Sequence, residues 1–217
     1  MLNEILSGNY SWFIAVIIAI TIHEFAHALA AEKLGDPTPR LMGRLTLNPL
    51  AHLDPLGTFF MLITRFGWGK PVIFDPFNLR DPRRDAAIIS FAGPVSNILL
   101  ATLVAILIRF LPLGVVSFGP FLIGTKEVVD FLLPIIFINV SLAIFNLIPI
   151  HPLDGFKIVG GIIPSEYVKE WYSLERYGVI ILLFLLLPFG PGSSILQSII
   201  SPPITFLLQL MLGVRFI

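Results

Sequence analysis

An unbroken apolar run over residues 11–31 is long enough to cross a membrane as one helix, and it contains the pentad HEFAH at residues 23–27. Residues four apart on an α-helix project from nearly the same face, so His23 and His27 can bind one metal ion. Glu24 lies beside them, where it can accept a proton from water. Two imidazoles and a carboxylate are costly in hydrocarbon, so this run predicts a membrane helix built around a functional metal site.

The composition also indicates a membrane protein. Hydrophobic residues form 56% of the 217-residue chain, charged residues form 13%, and the mean hydropathy is +0.90. This length allows one membrane domain over residues 1–217. Lys plus Arg and Asp plus Glu both number 14, so the balanced charge favours no nucleic acid partner. The chain has no cysteine, which excludes thiolate zinc ligands, disulfides and a cysteine nucleophile.

Further apolar stretches predict an all-α polytopic membrane protein with about five transmembrane helices. The stretches that can span or nearly span the membrane are 86–111, 128–150, 177–189 and 194–214. A patch at 56–66 is too short to span, and Gly67, Gly69 and Pro71 follow it. Residues 56–73 are therefore interpreted as a re-entrant or interfacial element, with a short β-hairpin as one form. The catalytic core is expected at about 10–156 and the C-terminal helices at about 173–215.

The basic residues predict the orientation of the chain in the membrane. Between the first two spans lie Lys33, Arg40, Arg44, Arg65, Lys70, Arg80, Arg83 and Arg84; between the third and fourth lie Lys157, Lys169 and Arg176. If these segments are cytoplasmic, only Arg109 and Lys126 lie outside. The N-terminus is then outside the cell, and the C-terminus, close to Arg215, is in the cytoplasm. His27 and His23 then lie roughly 9 and 15 Å from the cytoplasmic end of the first helix.

A zinc site that keeps one position open for water needs a third protein ligand. The candidates are His52, Asp54, His151, Asp154 and a few loop acids. Asp154 is the best placed, because it follows the third span at the cytoplasmic level of His27. Pro149 and Pro152 end the helix before it, and Gly155 allows a sharp turn beside it.

Three motifs together resemble the site-2 protease family of intramembrane zinc metalloproteases. They are HEFAH at 23–27, Gly93-Pro94-Val95-Ser96-Asn97, and NLIPIHPLDG at 146–155. The resemblance is closest to compact members without a PDZ or CBS domain, which residues 47–58 also resemble. It implies that His23, His27 and Asp154 bind one zinc ion and that Glu24 is the catalytic base. It also implies that Asn97 and Asn146 hold the substrate or polarise its carbonyl group.

Two histidines outside the pentad keep alternative interpretations open. His151 stands where the compact forms often carry proline, and it is a rival ligand, a proton relay or only a polar end to the third span. Phe156 replaces a second glycine that is common after Asp-Gly. His52 lies in a proline-rich loop, where a role in a turn competes with a catalytic role.

The sequence therefore predicts a prokaryotic cell-membrane protease that hydrolyses peptide bonds in or near the transmembrane segments of membrane-protein substrates. Residues 56–73 are a candidate edge for an unwound substrate segment. One alternative is a metal-ion transporter with the same residues as its transport site, although transporters usually have more spans and an internal repeat. Another is a catalytically silent membrane scaffold, although both Glu24 and Asp154 are present. The oligomeric state is left open.

Overall fold

The computed structural model describes residues 10–64, 67–111, 115–118, 121–187 and 194–213. Its helices are α1 Tyr10–Leu34, α2 Thr38–Leu41, α3 Pro55–Thr64, α4 Pro82–Phe110, α5 Thr125–Asn146, α6 Asp154–Ile162, α7 Val168–Ser173, α8 Glu175–Leu186 and α9 Ile195–Leu212. Three 3-10 turns lie at Pro49–Ala51, Pro76–Asn78 and Ser165–Tyr167. Strands β1 Val115–Phe118 and β2 Phe121–Gly124 pair antiparallel, with Val115 opposite Gly124.

Four of the described helices, α1, α4, α5 and α9, are long and apolar enough to cross a membrane. The prediction of about five is not confirmed, because α8 has only 12 residues. At the rise of an α-helix it is about 18 Å long, whereas the hydrocarbon core is about 30 Å thick. Residues 188 and 189, at the end of the predicted fifth span, lie outside the described residues. The predicted multi-pass α-helical architecture is otherwise confirmed.

The segment predicted as an interfacial element or hairpin at 56–73 begins as helix α3 rather than as a strand. Helix α3 begins at Pro55, a residue that favours the first turn of a helix, and it continues without a break to Thr64. The chain then returns along α3, and a Cβ atom on Gly57 would lie 2.2 Å from the carbonyl oxygen of Trp68. Strand-like pairing within the described part of this region is limited to a single bridge between Leu53 and Gly69. The described hairpin is instead β1–β2, between the second and third spanning helices.

Helices α1, α4 and α5 form the core of the protein through small side chains. Ala15, Ala19, Ala101 and Ala143 are fully buried where these helices meet. In a membrane, small residues allow helix backbones to approach closely, because van der Waals packing replaces the hydrophobic effect as the attraction between helices. This packing brings the polar positions of α1 against those of α4.

The short helix α6 is held against the start of α4. Nε of Arg83 donates to the carbonyl oxygen of Gly160 at 2.9 Å, and its Nη2 donates to that of Ile163. A Cβ atom on Gly161 would lie 2.4 Å from Cβ of Ala87, so the two helices touch at that glycine. These contacts place the first residue of α6, Asp154, beside the histidines of α1.

A buried carboxylate, Asp36, ties the end of α1 to the segment before α4. It accepts hydrogen bonds from the backbone N–H and hydroxyl of Thr38, from the N–H of Asp75 and from the amide of Asn78, at 2.6 to 3.0 Å. Burial alone would raise the pKa of Asp36, but these hydrogen bonds outweigh it and lower the pKa.

We expect Asp36→Ala to destabilise the protein by about 2–4 kcal/mol, because four hydrogen bonds to one fully buried carboxylate are lost together. Thermal unfolding of the purified protein in detergent measures this loss. Asp75→Ala is the matched control, since the Asp75 side chain accepts one exposed hydrogen bond from Phe77. An equal loss of stability in both variants would contradict the structural role of Asp36.

Candidate metal centre

Three side-chain atoms converge at the place where α1, α4 and α6 meet. Nε2 of His23 lies 3.0 Å from Nε2 of His27, and Oδ2 of Asp154 lies 3.0 Å from the first and 3.2 Å from the second. The histidines face the same side of α1, as their spacing predicted, and they are only 5% and 8% exposed. Among the described residues, no other group of three histidine or acidic side chains converges in this way.

The spacing of these three atoms fits a zinc ion. Zinc–ligand bonds of about 2.0–2.2 Å in a tetrahedron put neighbouring ligand atoms about 3.3–3.6 Å apart, slightly farther than the three atoms lie here. Oδ2 of Asp154 is buried, and its polar neighbours are the two Nε2 atoms at 3.0 and 3.2 Å, so a cation held among the three atoms would pair with all of them. The donor set of two imidazoles and one carboxylate is also one that zinc uses in catalytic sites.

Both imidazoles are oriented by a hydrogen bond on the side away from the cluster. Nδ1 of His23 donates to Oδ1 of Asn97 at 2.6 Å, and Nδ1 of His27 donates to the carbonyl oxygen of Ile89 at 2.7 Å. Because an amide or backbone oxygen can only accept, each Nδ1 carries the proton and each Nε2 presents its lone pair. Helix α4 therefore sets the tautomer of both histidines.

The predicted catalytic residue Asn97 is fully buried and bonded within the protein. Besides accepting from His23, its amide donates to the carbonyl oxygen of Ala19 at 3.0 Å and to Oδ1 of Asn139 at 2.7 Å. These bonds use the donors that a substrate carbonyl would need. The geometry thus favours a positioning role toward His23 over the predicted contact with substrate.

Gly93, the first residue of the motif that ends at Asn97, makes room for both imidazoles. A Cβ atom at this position would lie 2.5 Å from Cε1 of His27 and 2.6 Å from Cε1 of His23. Gly93 and Asn97 are four residues apart on α4, so they face the same side of the helix. Glycine leaves the space in which the imidazoles lie, and asparagine orients one of them.

A cavity of about 380 Å³ opens beside this cluster. Glu24 lines it, and its Oε2 accepts a hydrogen bond from the backbone N–H of Val72 at 2.8 Å. Most of the other lining side chains are apolar: Ile20, Trp68, Val72, Phe74, Ile89, Leu142, Phe145, Pro152 and Leu153. Lys157 also lines the cavity, with Nζ 4.8 Å from the centre of the Phe74 ring.

The second predicted asparagine, Asn146, lies at the wall of the same cavity, at the end of α5. Its amide donates to the carbonyl oxygen of Leu142 at 3.0 Å, and its side chain is half-buried. Asn146 is thus placed where it can reach a bound peptide, whereas Asn97 is not.

The two auxiliary histidines lie away from the three converging atoms. Nδ1 of His151 lies 3.5 Å from Oε1 of Glu175 on α8. His52 is fully buried, and its Nε2 donates to the carbonyl oxygen of Thr46 at 2.7 Å. Asp54, another candidate ligand, accepts from the N–H of Gly57 at 2.7 Å, in the first turn of α3. The structure brings none of them to the cluster.

Some groups at the site carried no signal in the sequence. The N–H of Val72 and the carbonyl of Ile89 are backbone groups, which every residue has. Asn139 could have been noticed as a polar residue within the third span. In the sequence Arg44 indicates only the cytoplasmic side of the membrane, whereas in the structure its side chain is buried at 4% exposure.

The chain is similar in sequence to a known protein family and to several named proteins. Residues 112–188 match Peptidase family M50. The chain is 38% identical to "Putative zinc metalloprotease YwhC" of Bacillus subtilis over 179 residues, which cover 82% of this chain and 80% of that protein. It is 30% identical to "Putative zinc metalloprotease Rip2" of Mycolicibacterium smegmatis over 179 residues, covering 79% of this chain and 64% of that protein.

A more distant relative is "Zinc metalloprotease MJ0392" of Methanocaldococcus jannaschii, 21% identical over 192 residues that cover 86% of this chain and 45% of that protein. No solved structure matches the chain.

We expect purified protein to contain about one zinc ion per chain, and His23→Ala, His27→Ala and Asp154→Ala each to deplete it, because two ligands hold the ion much less tightly than three. Elemental analysis after gel filtration measures the zinc content. His151→Ala is the control and should keep its zinc. Full occupancy in Asp154→Ala, or loss in His151→Ala, would exchange the two residues in the ligand set.

Substitution of Asn97 and substitution of Asn146 should have different effects on zinc affinity. Asn97→Ala frees Nδ1 of His23 and should weaken zinc affinity about 10- to 100-fold, as for other partners of metal-binding histidines. Asn146→Ala removes no contact of a ligand and should leave the affinity unchanged. Competition with a chromophoric chelator gives both values, and equal affinities would contradict the positioning role of Asn97.

Proposed function

Because the chain belongs to the M50, or site-2 protease, family of zinc metalloproteases, we propose that it hydrolyses peptide bonds in or near the transmembrane segments of membrane proteins. The observation that carries this proposal is the place of the site. His23, Glu24 and His27 lie within α1, a helix of 25 residues that is apolar enough to cross the membrane. A substrate must therefore reach the site at a depth where transmembrane segments lie.

His23, His27 and Asp154 hold the zinc ion in this proposal, and Glu24 is the general base. Zinc, when bound, supplies a Lewis acid that acidifies water and polarises a carbonyl group. The bond from Val72 orients the carboxylate of Glu24, which takes the proton from water. The hydroxide left after this proton transfer adds to the scissile carbonyl carbon, and when the C–N bond breaks Glu24 returns the proton to the leaving amine. Asn146, at the cavity wall, is the group proposed to orient the peptide.

The cavity favours an apolar and locally unwound substrate. Its walls are mostly apolar side chains, which fit those of a transmembrane segment. A helical segment hides its amide groups in hydrogen bonds, so the scissile bond must leave the helix before it can be attacked. A cavity of about 380 Å³ accommodates a short unwound stretch rather than a whole helix.

We also propose the orientation that the basic residues predict. In it the start of α1 lies outside, and the segments that join α1 to α4 and α5 to α8 lie on the cytoplasmic side. Asp154, which follows α5, meets the C-terminal half of α1, and His27 meets Ile89 near the start of α4. These contacts agree with α1 and α5 running in one direction and α4 in the other, and the choice of the cytoplasmic side rests on the basic residues alone. A cytoplasmic C-terminus, as predicted, would need a fifth helix that crosses the membrane. Helix α8, with 12 residues, is shorter than a membrane-spanning helix.

Glu24→Gln should retain zinc but lower the rate of cleavage at least about 100-fold, since it removes the base without removing a ligand. Incubation of the reconstituted protein with a model transmembrane substrate, with and without a chelator, measures this. Glu170→Gln, an exposed residue on α7, is the matched control. Undiminished hydrolysis by Glu24→Gln would contradict the mechanism, and zinc uptake into liposomes without any cleavage would favour a transporter.

Cysteine labelling tests the orientation, because the chain has no cysteine of its own. Lys126→Cys, in the first turn of α5, should react with an impermeant thiol reagent added outside intact cells. Arg84→Cys, in the first turn of α4, should react only after the cells are opened. Both side chains are exposed, so accessibility within the protein does not separate them. The reverse pattern would overturn the orientation.

A further inference from the structure

The segment that contacts Glu24 is residues 67–74, here named the cover segment. It forms one wall of the cavity with Gly67, Trp68, Gly69, Pro71, Val72 and Phe74. Val72 supplies the N–H that bonds Oε2 of Glu24. The position of the cover segment therefore sets the position of that carboxylate.

The loop of residues 44–54 holds the cover segment through backbone contacts. The N–H of Lys70 donates to the carbonyl oxygen of His52 at 2.8 Å, and Gly69 pairs with Leu53. A Cβ atom on Gly69 would lie 2.7 Å from Cγ2 of Ile20 and 3.0 Å from the oxygen of His52. The cover segment is thus seated closely between this loop and helix α1.

Arg44 joins the two segments. Its Nη1 donates to the carbonyl oxygen of Ala51, in the loop, and its Nη2 donates to the carbonyl oxygen of Lys70, in the cover segment. A guanidinium group is a planar fork of donors, so one side chain can bond two carbonyls on different segments, which a lysine ammonium cannot do with the same geometry. Burial lowers the pKa of Arg44, and the negative charge of Glu24 opposes that effect.

The path from Arg44 to the carboxylate is short and stiff. Lys70, which accepts from Arg44, is separated from Val72 by Pro71 alone. The ring of a proline fixes its φ angle, so ψ of Pro71 is the one freely rotating bond between the peptide group of Lys70 and the N–H of Val72, and a displacement of Lys70 reaches that N–H. That N–H is the group bonded to Glu24.

We propose that Arg44 is a positioning residue of the proteolytic reaction, which holds the cover segment so that the N–H of Val72 orients the carboxylate of Glu24. This inference rests on the proposed function, because it takes Glu24 as the base. It assigns a role to the 44–54 loop, which contains no ligand of the metal and does not itself contact the reacting groups.

The test compares Arg44→Lys with Arg40→Gln. Lysine keeps the charge but loses the fork, and Arg40 is a control in the same region, 60% exposed and paired at the surface with Glu32. In Arg44→Lys we expect kcat to fall about 10- to 100-fold, as for a displaced catalytic group, with zinc content unchanged. Hydrogen exchange of the peptide 67–74 should become faster. Arg40→Gln should change none of these values.

A double substitution tests whether Arg44 acts through Glu24. Glu24→Asp keeps a carboxylate but shortens it, so it no longer reaches Val72 in the same way. If Arg44 works through that contact, Arg44→Lys should lower kcat less than about threefold in the Glu24→Asp background. Independent effects, which multiply, would overturn the proposal.

Further outcomes would contradict either the role of Arg44 or the proposed function, and the two cases can be told apart. Wild-type kcat in Arg44→Lys, loss of its zinc, or unchanged hydrogen exchange at 67–74 would each overturn the positioning role. If the wild-type protein cleaves no transmembrane substrate, the proposed function fails, whereas hydrogen exchange still decides whether Arg44 holds the cover segment.

Discussion

Two imidazoles from α1 and a carboxylate from α6 approach within 3.2 Å of one another in the apolar interior of the protein. Polar groups in such a place destabilise the fold unless each finds a partner, and a cation shared by all three satisfies them together. The surrounding packing follows from this need. Gly93 gives the imidazoles space, and Gly155 lets the chain turn so closely that a Cβ atom there would lie 2.3 Å from the carbonyl oxygen of Leu147. The packing at both glycines therefore keeps the three side chains together.

Hydrogen bonds extend outward from this cluster in two directions. On one side, His23 bonds Asn97, which bonds Asn139, which bonds the carbonyl oxygen of Ile135, so that α1, α4 and α5 are joined through fully buried amides. On the other side, Glu24 bonds Val72, whose segment is held by Arg44. In a low dielectric such bonds are strong and leave few alternative geometries. The first chain fixes a proposed ligand, and the second fixes the proposed base.

The sequence predicted the parts of the site that are local in the chain. The spacing of His23 and His27 set them on one face of a helix, and the prolines around Asp154 indicated the end of a span. The helix count and the cover segment were not predictable in the same way. Residues 177–189 are apolar throughout, but apolarity does not decide where a helix ends, and α8 stops at Leu186. The contacts of Asn97 and Arg44 join residues far apart in sequence, so no periodic pattern reports them.

X-ray absorption at the zinc edge of the purified protein tests the central claim most directly, because it counts the atoms bound to the ion without relying on activity. His23, His27 and Asp154 predict two imidazole groups together with oxygen ligands, in a four-coordinate site with bonds of about 2.0–2.1 Å. Three imidazole groups would bring in His52 or His151 and contradict the assignment of Asp154. A six-coordinate shell of oxygen atoms alone would contradict the site altogether.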